Sequence, residues 1–187
     1  LENYKKAAQL EPQNPLVREQ MAFIYQNRKA YTDAIQEYQF AIAANSSRGS
    51  ELYQLIGDLY LDTDQWQKAR DNYLKSLELG WLDKKTYLAL GKTQVWLSDF
   101  PAAKDSFGKA LAIDQNYIPA RFYFSLLSCL DNLEFARIDM QKVRDSIPQT
   151  DKEKQNVVDA GVFLDYISQA QQPKQQDWAG MYLAKGF

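Results

Sequence analysis

Apolar side chains return at i, i+3, i+4 and i+7 in eight separate stretches between residues 15 and 146, the spacing of one face of a helix. The pattern predicts four first helices over 15–28, 49–62, 83–97 and 117–130. Four second helices are expected over 31–44, 65–79, 100–112 and 133–146. Asp64, Asp99 and Asn132 stand just ahead of second helices, where a short acceptor can cap free N–H groups. The longest apolar segment, Ile118 to Leu130, is interrupted by Arg121, Ser125 and Ser128 and falls short of the ~20 residues that span a bilayer.

A second, longer period overlies the helical one. Ala22, Tyr25, Ala34, Tyr38 and Ala41 are echoed by Gly57, Tyr60, Ala69, Tyr73 and Ser76, then by Gly91, Ala103, Phe107 and Ala110. A weaker copy follows at Ser125, Ala136, Met140 and Val143. Ala22 to Gly57 is 35 residues and Gly57 to Gly91 is 34. In the first three copies the two small residues lie 12 apart, and an aromatic follows four later. This spacing resembles the tetratricopeptide repeat, a helix–turn–helix unit of about 34 residues whose small residues mark the helix crossing. The resemblance covers roughly residues 1–148. Tyr4, Ala7 and Pro12 match the second half of a preceding unit, so the chain is expected to begin within a repeat, as a fragment or a processed product would.

The departures are specific. Arg18, Tyr53, Tyr87 and Arg121 stand where the family commonly has tryptophan, and Gln94 replaces the aromatic expected three residues after Gly91. The closing proline survives at Pro12 and Pro148 only. The resemblance implies an all-α, right-handed superhelical solenoid of antiparallel helix pairs. The expected units are 1–14 (half a repeat), 15–48, 49–82, 83–116, a degenerate 117–150, and a C-terminal cap and tail over 151–187. Gly57 and Ala69 are then small because two helices cross closely there, while Tyr60 and Tyr73 fill the space between neighbouring pairs.

Composition narrows the chemistry. The 187 residues carry a net charge of −2 and include no histidine, which removes the commonest general base and metal ligand. No basic field is available for nucleic acid, and the aromatics fall on packing positions, unlike the base-stacking platforms of single-strand binders. The lone Cys129 lies in an apolar stretch and reads as a core residue. There is no phosphate-binding glycine loop and no metal-ligand spacing. Asp62 and Asp64 sit at a turn, and Asn45-Ser46-Ser47 matches a glycosylation acceptor in an inter-repeat loop. The sequence therefore predicts no enzyme, cofactor or metal.

What remains is the groove that first helices line in such arrays. One face of those helices runs through Leu16, Glu19, Phe23 and Gln26, then Glu51, Gln54, Asp58 and Leu61. It continues as Lys85, Leu88, Lys92 and Val95, then Pro119, Phe122, Leu126 and Cys129. Glu19 and Phe23 replace the lysine and asparagine of the family's carboxylate-gripping subgroup, and Asp58 adds an acid further along, so that clamp is missing. Glu19, Phe23, Gln54, Asp58, Leu88, Lys92 and Phe122 are the candidate contacts for a peptide or partner helix, with Asp58 and Lys92 polarising the groove. A scaffold role through the convex face and tail, in bacterial envelope, secretion or pilus assembly, is the alternative, as is a regulatory module of a longer protein. Family members act both in the cytoplasm and in bacterial envelopes.

The segment "IPARFYFSLLSCL" is apolar nearly all round, so something must cover Phe122, Leu126 and Leu130. A helix over Asn156–Ile167, with Val157, Val158, Phe163, Leu164 and Ile167 apolar, is expected to do so. After a polar linker, Gln169–Gln176, the residues Trp178, Met181 and Tyr182 predict one more short helix. The tail Trp178–Phe187 is expected either to cap the array or to dock on a second copy.

Overall fold

The computed structural model describes residues 1–129 and 131–169. They form ten helices: α1 (Glu2–Leu10), α2 (Pro15–Asn27), α3 (Tyr31–Ala43), α4 (Gly49–Leu61), α5 (Trp66–Glu78), α6 (Lys84–Trp96), α7 (Phe100–Ile113), α8 (Ile118–Ser128), α9 (Leu133–Arg144) and α10 (Asp151–Gln169). Each of the eight repeat helices falls within about two residues of its predicted span. The chain divides into two compact units, Leu1–Leu82 and Asp83–Phe187.

The turns between paired helices follow one scheme. Lys29, Asp64 and Ser98 each adopt a positive φ of 57–61°, at intervals of 35 and 34 residues. At each, the next residue donates its N–H across the turn: Ala30 to Tyr25 O (3.0 Å), Gln65 to Tyr60 O (2.9 Å) and Asp99 to Gln94 O (2.8 Å). That bond and the left-handed residue before it form a Schellman ending, which closes off the last carbonyls of the first helix. Asp64 is therefore the left-handed residue that ends α4. It does not cap α5, whose N-cap is Gln65, without a side-chain bond. Asp99 and Asn132 do cap, accepting from Ala102 N (3.3 Å) and Phe135 N (2.9 Å). Asn14 and Asp83 do the same for α2 and α6, accepting from Leu16 N (3.1 Å) and Lys85 N (2.8 Å).

Small residues lie where helices cross. Ala22, Ala34, Ala69, Ala103, Ala110 and Ala136 have no exposed surface. A Cβ placed on Gly57 would come within 2.6 Å of the Tyr73 ring, and one on Gly91 within 2.5 Å of Phe107. The aromatic of each second helix thus lies over the glycine of its own pair; it fills the pair's interior, not the space between pairs. Tyr38 belongs to the same class, 2% exposed. Tyr25 and Tyr60 are half-buried against the core of the first unit, which Ile35, Leu52, Ile56 and Leu59 dominate.

Two of the family departures are compensated locally. Arg18 Nη1 donates to Glu37 Oε2 (3.0 Å), and Arg121 Nη1 donates to Asp139 Oδ1 (2.7 Å). In both pairs the arginine lies on the first helix, and its acid directly precedes the core residue, Tyr38 or Met140, of the second. At both positions an arginine stands where the family commonly has a packing ring, with a carboxylate opposite it. Gln94 is likewise satisfied: the Ser106 hydroxyl donates to its Oε1 at 2.7 Å in a buried setting.

The C-terminal helix α10 starts five residues earlier than the pattern suggested. It packs on α9 and α8, where Ala160, Phe163 and Leu164 join a core with Ile118, Phe122, Leu126, Met140 and Val143. Phe122 and Leu126 are thereby covered to 3% and 2% exposure. Ala160, with no exposed surface, follows Ser125 by 35 residues, so the repeat count runs on into α10. Val158 remains 58% exposed. The proposed role of Leu130, the side chain of Ile167, the linker beyond Gln169 and the helix around Trp178, Met181 and Tyr182 lie outside the described residues.

Candidate functional site

The seven groove candidates belong to two different settings. In the first unit, Glu19 is 4% exposed and engaged from two sides. It accepts from the Ser46 hydroxyl (2.6 Å) and from Arg48 Nη1 (2.8 Å); the same guanidinium pairs with Glu51 through Nη2 at 2.6 Å. These bonds tie the α3–α4 loop to α2, so Glu19 holds structure and does not face a groove. Asp58 points into its own pair: its Oδ1 accepts from the Tyr73 hydroxyl at 2.7 Å, and Oδ2 accepts from Gln54 Nε2. Burial pushes the Asp58 carboxyl up to about 6, against the Tyr73 hydrogen bond that pulls it down. Gln26 is occupied in a similar way, accepting from the Tyr38 hydroxyl at 2.9 Å. Phe23, 54% exposed, and Leu16, 65% exposed, are the open apolar residues of this face.

In the second unit the candidates come together. Leu88 and Lys92 on α6 and Phe122 on α8 line one cavity of about 1180 Å³, closed on its far side by α10. Its lining includes Tyr123, whose ring stacks on Phe107 (centroids 5.4 Å apart) and meets Phe122 edge-on (5.3 Å). Lys92 Nζ lies 5.2 Å from the centre of that ring. Burial, and then the charge of Lys152, lower the Lys92 ammonium to about 8. Val95 and Cys129, on the same predicted stripe, are 6% and 2% exposed and belong to the core.

Sequence reasoning missed the contribution of α10. Lys152, Asn156 and Val162 reach this cavity from it. The continued repeat count at Ala160 was the signal that could have placed them there. A second, shallower hollow of about 750 Å³ lies between α7 and α8, with Phe100, Phe124 and Leu127 at its base and Lys104 bridging to Asp131 at 2.5 Å.

Burial raises the Cys129 thiol to about 12, and its Sγ donates to Ser125 O at 3.4 Å, leaving a protonated core thiol. Among the described residues no group of three or more His, Cys, Asp or Glu side chains could hold a metal ion. Among them, too, no helix is long and apolar enough to cross a membrane.

No family model matches the sequence, and no curated protein matches it significantly. Solved structures do match. YrrB, described as a TPR protein with an unusual peptide-binding site, is 20% identical and aligns over 95% of this chain and 90% of its own, with a TM-score of 0.71. MamA is 21% identical over 74% of this chain and 81% of its own, with a TM-score of 0.67. A tetratricopeptide repeat protein from Parabacteroides merdae is 16% identical over 98% and 78%, with a TM-score of 0.71. The chain has the all-α tetratricopeptide-repeat fold that its small-residue period implied.

Proposed function

We propose that this chain is a non-catalytic protein-interaction module that holds a peptide or partner helix against its first helices, with the α6–α8–α10 cavity as the principal seat. The observation that carries this reading is the cavity itself. At about 1180 Å³ it exceeds the ~300–1,000 Å³ of small-molecule pockets. Its walls combine apolar residues from two repeats with lysines at the rim. The peptide-binding description of YrrB, a structure of the same fold, supports the same class of partner. In this reading residues 15–48, 49–82, 83–116 and 117–150 are the repeats, 1–14 completes a preceding one, and 151–187 supplies the cap. Phe23 provides apolar contact in the first unit, while Glu19, Gln54 and Asp58 keep that unit's helices in place.

Peptide display against the immobilised chain tests the proposal. Sequences selected by wild type should fail on a Leu88→Ser, Lys92→Ala variant whose circular dichroism is unchanged. Equal binding by the variant would move the site elsewhere. The scaffold reading would then lead, resting on the α7–α8 hollow and on Phe135 and Ile138, which α9 leaves 45% and 49% exposed.

A further inference from the structure

The lining of the α6–α8–α10 cavity carries a small excess of positive charge. Four lysines line it, Lys84, Lys85, Lys92 and Lys152, with three acids, Asp114, Glu153 and Asp159. Asp114 is paired with a lysine, while Glu153 and Asp159 are held by neutral donors and keep their charge. Asp114 takes Lys84 Nζ at 2.6 Å and the Asn116 N–H at 3.0 Å. Glu153 closes the N-terminus of α10, accepting from Gln149 N (2.6 Å) and Thr150 N (3.0 Å). Asp159 accepts from Gln155 Nε2 at 2.9 Å. Lys84 is doubly held, by Asp114 and over the Tyr117 ring at 4.8 Å. Lys85 and Lys152, both exposed, have no acidic partner among the described residues. They come from different helices, α6 and α10, and face the same opening as Lys92. Two like charges near each other raise the local potential, and Lys152 already depresses the Lys92 ammonium after burial has done so. Beneath this rim the accessible apolar lining is Leu88, half-buried on α6, and Val162, 50% exposed on α10.

Resting on the peptide-binding reading above, we propose that the occupant is an acidic segment of a partner protein. Its Asp or Glu side chains lie between Lys85, Lys92 and Lys152, and an aliphatic or aromatic side chain enters against Leu88 and Val162. Charge complementarity selects the ligand, because Lys85 and Lys152, exposed at the opening and without an acidic partner among the described residues, favour acidic approach there and penalise basic sequences. The recognition is of side-chain carboxylates, so it does not require a free C-terminus.

The test uses the full chain and two fluorescein-labelled 12-residue peptides, both blocked at each end. One alternates Asp and Glu with Leu and Phe; the other replaces every Asp by Asn and every Glu by Gln. Fluorescence anisotropy should show the acidic peptide binding at least tenfold tighter at low salt, with the advantage shrinking as salt rises. Lys85→Glu and Lys152→Glu should each weaken it severalfold, while the charge-matched control Lys6→Glu on α1 leaves it unchanged. Both substitutions are on exposed side chains, and an acid in the first turn of α10 suits the helix dipole, so folding is preserved. Equal binding of the two peptides, with Leu88→Ala weakening both, overturns the acidic-ligand proposal and leaves the peptide groove standing. Binding of neither peptide, together with display selections insensitive to Leu88→Ser, overturns both. A dimer in sedimentation that Lys152→Glu dissociates, and that the acidic peptide does not displace, names a second copy as the occupant and also overturns it.

Discussion

The pairs α4–α5 and α6–α7 share a register but use it differently. Asp58 and Lys92 each follow the glycine at the crossing, and Tyr73 and Phe107 each lie over that glycine. In the first pair the tyrosine hydroxyl reaches the aspartate at 2.7 Å, and the polar residue becomes part of the pair's interior. In the second, phenylalanine has no hydroxyl to offer, and Lys92 turns over Tyr123 at the rim of a cavity. One oxygen on the second helix thus accompanies two fates: a half-buried polar bridge, or a charge presented to the α6–α8–α10 cavity. A residue's position in the repeat therefore does not fix its role until its partner on the second helix is known.

The largest expected effect tests what the pairs share. Gly57→Ala and Gly91→Ala should each destabilise by about 1–3 kcal/mol in urea unfolding, since the new methyl must displace a ring already in contact. A much smaller loss at one site would show that its ring can move and that the two crossings differ. Next, Tyr73→Phe removes the donor from a half-buried carboxylate and should cost about 1–2 kcal/mol, whereas Phe107 has no such bond to lose. The reciprocal change is a graft. Lys92→Asp should destabilise the α6–α7 pair, and adding Phe107→Tyr should recover roughly 1 kcal/mol as a coupling energy in a double-mutant cycle. Additive effects would mean that the Asp58–Tyr73 bridge depends on surroundings beyond the two residues.

The smallest effect is a slope with pH. Burial raises the Asp58 carboxyl to about 6 from an ordinary value near 4, so the folded chain holds this proton more tightly than the unfolded chain does. The stability this contributes is full below about pH 4 and is lost as pH rises through 6. Asp58→Asn retains an acceptor for Tyr73 and removes the titration. Wild type should therefore lose melting temperature relative to the variant between pH 4 and pH 7, by the equivalent of roughly 1 kcal/mol, since the ~2.7 kcal/mol of a two-unit shift is cut back by the solvent that reaches a half-buried carboxylate. Parallel melting curves across that range would place the Asp58 carboxylate in contact with water.

Much of this architecture was legible in the sequence, because it follows from covalent spacing. A period of 34–35 residues and small residues 12 apart are properties of the chain itself. Helix packing converts them directly into crossings at Ala22, Gly57 and Gly91. The capping roles of Asp99 and Asn132 were legible for the same reason: capping is local. The turn at Asp64 was not, because a short polar residue serves both as an N-cap and as a left-handed helix end, and only the backbone chooses between them. Arg18 and Arg121 read as departures until Glu37 and Asp139 were found opposite them.

The candidate site divides along the same line. Leu88, Lys92 and Phe122 could be named from one helix face, since i, i+3 and i+7 share a side whatever surrounds them. Glu19 and Asp58 satisfied the same spacing, yet Arg48 and Ser46 took the first and Tyr73 the second. Those partners lie 15 to 29 residues away, and a buried carboxylate keeps whichever donors tertiary packing brings to it. Lys152 entered the site only because α10 folded back over α8, where the apolar faces of both helices had to be covered. The sequence by itself determined the repeat, its crossings and the side of each helix that could face a ligand. Only the tertiary structure decided which polar groups were consumed inside the fold and which were left at the cavity rim, because burial and pairing depend on neighbours distant in the chain.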